Sequence, residues 1–296
     1  MKKKSFVFTI VFTALTMSIL SQTPLDGFYP KKGDLSLALS YTNSSYDDFY
    51  AGNALTDGNP AGFGEVSSSI YSFYTSYGIN NWISTVVTLP YISIQNESGA
   101  LDPIQNVNEI NNIQDLSLYL KAKALEINGV HGNTFSLGIA GGVSLPISDY
   151  DARGVLSIGN QATSIHGIGI LQYRASYGLF SELQLGYSLR NNSDFDIPNA
   201  ILSNLKIGYF CKYFYSHAKI GIQNSQSGFD IGSPAFVAAG GAAALPETDV
   251  DYTDLDLTLC VPVYKSFSAS LSYIETLHGR NFGNSSSYSL GLIYKN

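Results

Sequence analysis

The basic residues of this chain are few and regularly placed, and their spacing carries the clearest chemical signal. In "DLSLYLKAKAL", residues 115–125, Lys121 and Lys123 alternate with Leu118, Leu120, Ala122 and Ala124. A period of two puts the lysines on one face of a β-strand and the apolar residues on the other. Arg174, Lys212 and Lys219 fall on the equivalent face of later alternating segments, opposed mainly by Glu182. Asp115, Asp254 and Asp256 take the same face toward the opposite strand ends, with Arg190 and Lys206. A ring of cations in a low-dielectric constriction would favour anions. The plainer reading is that these charges pair off and hydrate an interior.

Nucleophilic chemistry finds less support. It needs a nucleophile and a base within hydrogen-bond reach, with a third group orienting the base. Ser164 and His166 are two apart on one strand face, but that face also carries Arg174, and no acid partner is visible. His131, His217 and His278 lie near strand ends or in loops, without a second ligand at metal spacing. The reading is therefore a non-enzymatic protein with no catalytic or metal residues and no cofactor. Cys211 and Cys260 fall on opposite faces of different strands and are expected as free thiols.

The elements that must position these residues are strands. Twelve segments show period-two alternation, among them "LSLALSY", "WISTVVTLPY", "LFSELQLGYSLR" and "SYSLGLIY". The segment "SIHGIGILQYR" is ambiguous, with Ile165, Leu171 and Tyr173 on one face and Ile168 and Ile170 on the other. Connections between segments alternate in length, short near residues 80–81, 176–178, 214–216 and 264–266, long over 43–65, 95–112, 146–161, 191–202 and 226–251. Short turns at one rim and long loops at the other mark an outer-membrane barrel, with turns in the periplasm and loops outside. An even strand count puts both chain ends on the periplasmic side.

Composition agrees. Only 13% of the 296 residues are charged, whereas Gly (28) and Tyr (21) are abundant. The start, "MKKKSFVFTIVFTALTMSILSQTP", has a basic region, an apolar run and small polar residues, the pattern of a cleaved leader over residues 1–21. Without Lys2, Lys3 and Lys4, 13 basic residues face 23 acidic ones, a net charge of −10 that excludes a nucleic-acid surface. In a soluble sandwich the apolar faces would point inward. Here they are aliphatic in mid-strand with Tyr toward the ends, Trp82 follows a short turn, and most acids lie in loops. Lys121 facing lipid at mid-depth would cost about 2–4 kcal/mol, so the lysines are assigned to the lumen.

The segments "TLPYISIQNESG", "IQDLSLYLKAKAL" and "SLGIAGGVSLPISDYDARGVLSIGNQ" resemble the family of outer-membrane transporters named for the meta-cleavage pathway of phenol degradation. Leu89–Pro90–Tyr91, Asp115–Leu116 with Lys121, and Leu145–Pro146 with Asp149 stand at the family's marked places, although "NIQDL" replaces its glycines before Asp115. The resemblance implies passage of small apolar or aromatic compounds.

The expected protein is an all-β, antiparallel up-and-down transmembrane barrel of about twelve strands over residues 33–296, after a periplasmic segment 22–32 that is also a candidate plug. Its partners would be outer-membrane lipid, the barrel-assembly machinery and a small-molecule solute. The small residues Gly138 and Ala140, facing Tyr119, Ile168 and Ile170, form a candidate groove for an apolar ligand. Loop 226–251, rich in Ala, Gly and Val, is either a gate or a low-complexity insertion. Three functions stay open: a channel for apolar or aromatic solutes, an anion-selective pore, and a closed structural or adhesion barrel.

Overall fold

The computed structural model describes residues 24–58 and 64–296; the expected leader lies outside the described residues. Twelve antiparallel strands close on themselves: β1 (Leu35–Tyr46), β2 (Val66–Gly78), β3 (Ile83–Asn96), β4 (Asp115–Asn128), β5 (Thr134–Pro146), β6 (Thr163–Arg174), β7 (Leu179–Asn191), β8 (Ala200–Phe210), β9 (Tyr215–Ser225), β10 (Asp251–Tyr264), β11 (Phe267–Arg280) and β12 (Ser286–Lys295). β1 pairs with both β2 and β12, so the sheet has no free edge to present unpaired backbone to lipid.

One wall position departs from the simple meander. The lower half of β3 pairs with β4, but residues 91–95 pair with a short strand, Glu109–Ile113, that continues β4 upward. Pro90 sits at the changeover, where its missing N–H breaks the ladder, and its carbonyl accepts from the Gln114 N–H at 2.9 Å. The barrel keeps twelve strands with one extra strand segment.

The faces are those the alternation implies. Leu39 and Ile139 are 62% and 59% exposed on the outside, while Lys121 on the inner face is 1% exposed. Tyr41, Tyr71 and Tyr91 neighbour one another at the long-loop end, with centroids 5.0 and 6.4 Å apart, and Trp82 stands at the short-turn end. These are the two aromatic belts of a membrane barrel. Several strands run further outward than their apolar alternation, β1 to Tyr46 and β11 to Arg280. The ladder there continues through Ser, Asn, Thr and His, above the depth where lipid demands apolar side chains. β8 ends sooner than expected, at Phe210, leaving Cys211 in the following turn; Cys211 and Cys260 are free thiols.

The apolar core lies inside the barrel, in two clusters. Toward the long loops, Val66 and Ile70 of β2 and Ile92 and Ile94 of β3 pack against Tyr150, Leu156 and Ile158 of the β5–β6 loop, which folds inward. Buried Asp102 anchors that loop, accepting the N–H groups of Val155 and Leu156 on one carboxylate oxygen and those of Ile104 and Gln105 on the other. The second cluster lies deeper, and the N-terminal segment helps to form it.

Candidate functional site

The inner face of β4 sets the site. Lys121 points into the lumen and gives its three ammonium protons to one neighbour, the segment preceding β1. The acceptors are the Asp26 carbonyl at 2.7 Å, the Asp26 carboxylate at 3.0 Å and the Phe28 carbonyl at 2.7 Å. An ammonium has three donors, so Lys121 is fully satisfied by this segment. A register shift between Lys123 and Leu125 turns Lys123 and Glu126 to the same side, where they pair at 2.6 Å. The Lys123 ammonium also lies over the Trp82 ring, 4.9 Å from its centroid.

The opposite wall holds the same segment by different chemistry. Glu182 of β7 accepts from the Gly27 N–H at 2.7 Å and from Lys206 of β8 at 3.1 Å. Gln184 donates to the Leu25 carbonyl at 2.8 Å. The Phe28 ring stands edge-on to Phe180, Phe210 and Tyr215, with centroids 5.2, 5.9 and 6.2 Å away. Residues 25–29 thus cross the lumen from β4 to β7–β9. Residues 31–34 then leave along the β2–β3 turn, with Gly33 and Gly78 linked through backbone at 2.8 Å.

This arrangement decides the fate of the candidate groove. Tyr119, Ala140, Ile168 and Ile170 do form one buried apolar cluster with Val86, but Leu25 fills it. Gly138 has no side chain because the Tyr29 hydroxyl occupies that space, and a Cβ at Gly142 would overlap the Tyr119 ring. The small residues admit the chain's own segment rather than leaving an empty groove. The partners Phe180, Phe210 and Tyr215 escape a reading of alternation alone; large rings on an otherwise polar inward face are the signal that would find them.

The basic ring and its acidic counterpart are not separated by depth. Lys219 pairs with Asp256 at 2.9 Å across β9 and β10, although strand patterning alone puts them at opposite ends. Asp115 accepts from the Tyr150 hydroxyl at 2.6 Å, tying it to the inward loop, and Asp254 is buried. Lys212 is not in the lumen. It lies exposed in the turn after β8, with its ammonium over the Tyr213 ring, because the strand stops before it. Arg174 lies beside the plugging segment, its guanidinium 6.0 Å from the Phe28 ring centroid. The basic ring therefore reduces to individual cations, most of them already answered by a carboxylate.

His166 hydrogen-bonds through Nε2 to Ser144 at 3.0 Å, not to Ser164, and its buried Nδ1 has no partner among the described residues. Among the described residues no acid orients it as an acyl-transfer base would require. At the outer mouth, the β9–β10 loop contains a short helix, Pro234–Ala238, capped by Ser233, and a 3₁₀ stretch, Gly241–Glu247. It reaches the β5–β6 loop through a Gly154 N–H to Ala242 carbonyl bond at 3.2 Å, and the end of β11 through an Arg280–Asp230 ion pair at 2.8 Å. The low-complexity sequence has a defined fold over the mouth.

A closed twelve-stranded barrel with an apolar outer belt and a charged, occupied lumen is an outer-membrane β-barrel. The family described as "Putative MetA-pathway of phenol degradation" matches residues 47–245, and the chain belongs to it. Among solved structures it is similar to the COG4313 outer membrane channel from Pseudomonas putida F1, at 12% identity and a TM-score of 0.72, covering 93% of this chain and 100% of that one. It also matches the NanC porin (12% identity, 87% and 100% covered, TM-score 0.47). A third match is the translocator domain of the autotransporter NalP from Neisseria meningitidis (13% identity, 90% and 89% covered, TM-score 0.43). Among curated proteins no relative matches the sequence. The protein resides in the bacterial outer membrane.

Proposed function

We propose that this barrel is a plugged channel for small solutes, non-enzymatic, in which residues 24–29 must leave the lumen before a solute passes. The observation that carries this reading is Lys121, all three of whose donors are held by the plug. The plug makes replaceable contacts. Water can take over each of its hydrogen bonds, accepting from Lys121 and Gln184 and donating to Glu182, so release does not unfold the wall. Family membership supports an aromatic solute, and the rings around Phe28 are compatible with one.

Planar-bilayer conductance tests the reading. The full chain should show small or rare openings, and a variant lacking residues 24–29 should show larger, steady steps. Equal conductance from two properly folded barrels would instead favour a closed structural or adhesion barrel.

A further inference from the structure

The two facing walls of the lumen are complementary to the groups of the plug that now span them. Asp26 and Phe28 are two residues apart, and the Phe28 N–H donates to Asp26 Oδ1 at 3.0 Å, so a carboxylate and a phenyl ring are presented together. The carboxylate meets the Lys121 ammonium at 3.0 Å. The ring fills the slot between Phe180, Phe210 and Tyr215, all edge-on to it. Arg174 stands beside the same ring, and its buried Nε finds no acceptor among the described residues.

Each kind of solute would leave something different behind after displacing the plug. A neutral apolar molecule fills the ring slot but strips Lys121 of its acceptors, and a poorly hydrated cation resists that. A short aliphatic acid answers the lysine but leaves the three rings against water. A molecule with both groups satisfies both. Loss of Asp26 also tips the local balance to positive, with Lys121, Arg174 and Lys206 opposed by Glu182.

We propose that the lumen wall binds a monocyclic aromatic carboxylate. Its carboxylate sits on Lys121 where the Asp26 carboxylate now lies, and its ring sits among Phe180, Phe210 and Tyr215 where Phe28 now lies. The proposal rests on the plugged-channel reading for its access route, and it specifies a solute that unites the aromatic and anionic expectations.

The test is calorimetric titration of the full-length chain in detergent with benzoate, benzamide and toluene, comparing wild type with Phe28→Ala. Phe28→Ala vacates the ring slot, so it should bind benzoate about tenfold tighter than wild type does, and about tenfold tighter than it binds benzamide. Lys121→Gln should abolish the preference for benzoate, and Lys121→Arg should retain it. Equal affinity for benzoate and benzamide, or a preference that survives Lys121→Gln, would overturn the site. Should Phe28→Ala not fold, wild type answers the same question: benzoate, and not benzamide, should speed hydrogen exchange in residues 24–34. Conductance of Phe28→Ala in plain potassium chloride separates the two readings. A rise without benzoate preference keeps the channel and sinks the site, whereas benzoate preference without a rise keeps the site and sinks the plugged channel.

Discussion

Lys121→Met is the sharpest perturbation of the closed lumen. Lys121 is 1% exposed and spends its three donors on Asp26 and Phe28. Breaking a buried pair from one side costs about 3–5 kcal/mol, and a hydrogen bond to a charged group contributes about 1.5–3 kcal/mol. Two features lower the sum. The Asp26 side chain is 39% exposed and regains water when the lysine goes. Methionine removes the buried charge together with its bonds, so no uncompensated cation remains in the wall. The plug should then be held about 2–4 kcal/mol less tightly, roughly 30- to 1,000-fold in its release equilibrium. Hydrogen exchange reads this directly, because the Gly27 N–H is protected by Glu182 at 2.7 Å only while the plug is seated. Peptides covering residues 24–34 should exchange faster by that factor while strand amides do not change. Lys123→Met is the milder comparison: its ion-pair partner is Glu126, it touches the plug only through the Tyr29 ring, 5.7 Å from its ammonium, and the loss should stay within about 1 kcal/mol. Unchanged exchange in Lys121→Met, with the strands still protected, would refute the claim that this lysine holds the plug.

Three further outcomes follow from the geometry. Gly138→Ala puts a Cβ where the Tyr29 hydroxyl lies, so Tyr29 must leave; plug exchange should rise while the heat-dependent gel mobility of the barrel is kept. Leu120→Lys, one residue from a tolerated lysine, places a charge on a lipid-facing position that is 54% exposed; refolding titrations should show a loss of about 2–4 kcal/mol, and no loss would mean that the faces are wrongly assigned. At the mouth, Arg280 donates to Asp230 and holds its carboxyl below the usual carboxylate range. A depressed folded value means that this tie is fully present above about pH 4 and is lost as pH falls through the folded pKa. Burial pushes Asp249 the other way, so its contribution runs opposite and offsets part of that slope. Protease nicking within residues 226–250 should therefore increase only in strong acid, and Arg280→Ala should bring the same nicking at neutral pH.

What is legible in the sequence follows from what lipid demands. Along β4 the bilayer requires Leu118 and Leu120 outside, and that forces Lys121 inside; no tertiary knowledge is needed to read it. The same logic fails where lipid stops imposing a pattern. Extending the alternation of β8 past Phe210 puts Lys212 in the lumen, but a turn has no obligatory faces. Period-two patterning separates Lys219 from Asp256 because depth in a barrel depends on stagger between strands, which the pattern does not encode. The candidate groove exists as a set of residues, but it is filled rather than empty. Its filler, Leu25, lies more than a hundred residues from Ala140 and Ile168 in sequence, in a segment with no periodicity to show where it goes.

The two closures of the barrel differ in chemistry, and on the plugged-channel reading that difference predicts which end opens. At the outer end, Tyr150, Leu156 and Ile158 are each at most 5% exposed against β2 and β3. Withdrawing that loop would return three large apolar side chains to water, at about 1.5–3 kcal/mol each, and would also strip Asp102 of the Val155 and Leu156 N–H donors. At the inner end, Leu25 is the one large apolar side chain of the plug that is fully buried; Phe28 and Tyr29 are only partly so. Beyond the edge-on packing of Phe28, the remaining contacts of the plug are largely hydrogen bonds that water can replace with little net loss. Leu25→Ser would remove the plug's one fully buried apolar anchor. In bilayers it should raise open probability more than any single polar substitution in the β5–β6 loop, and the reverse order would move the gate to the extracellular side.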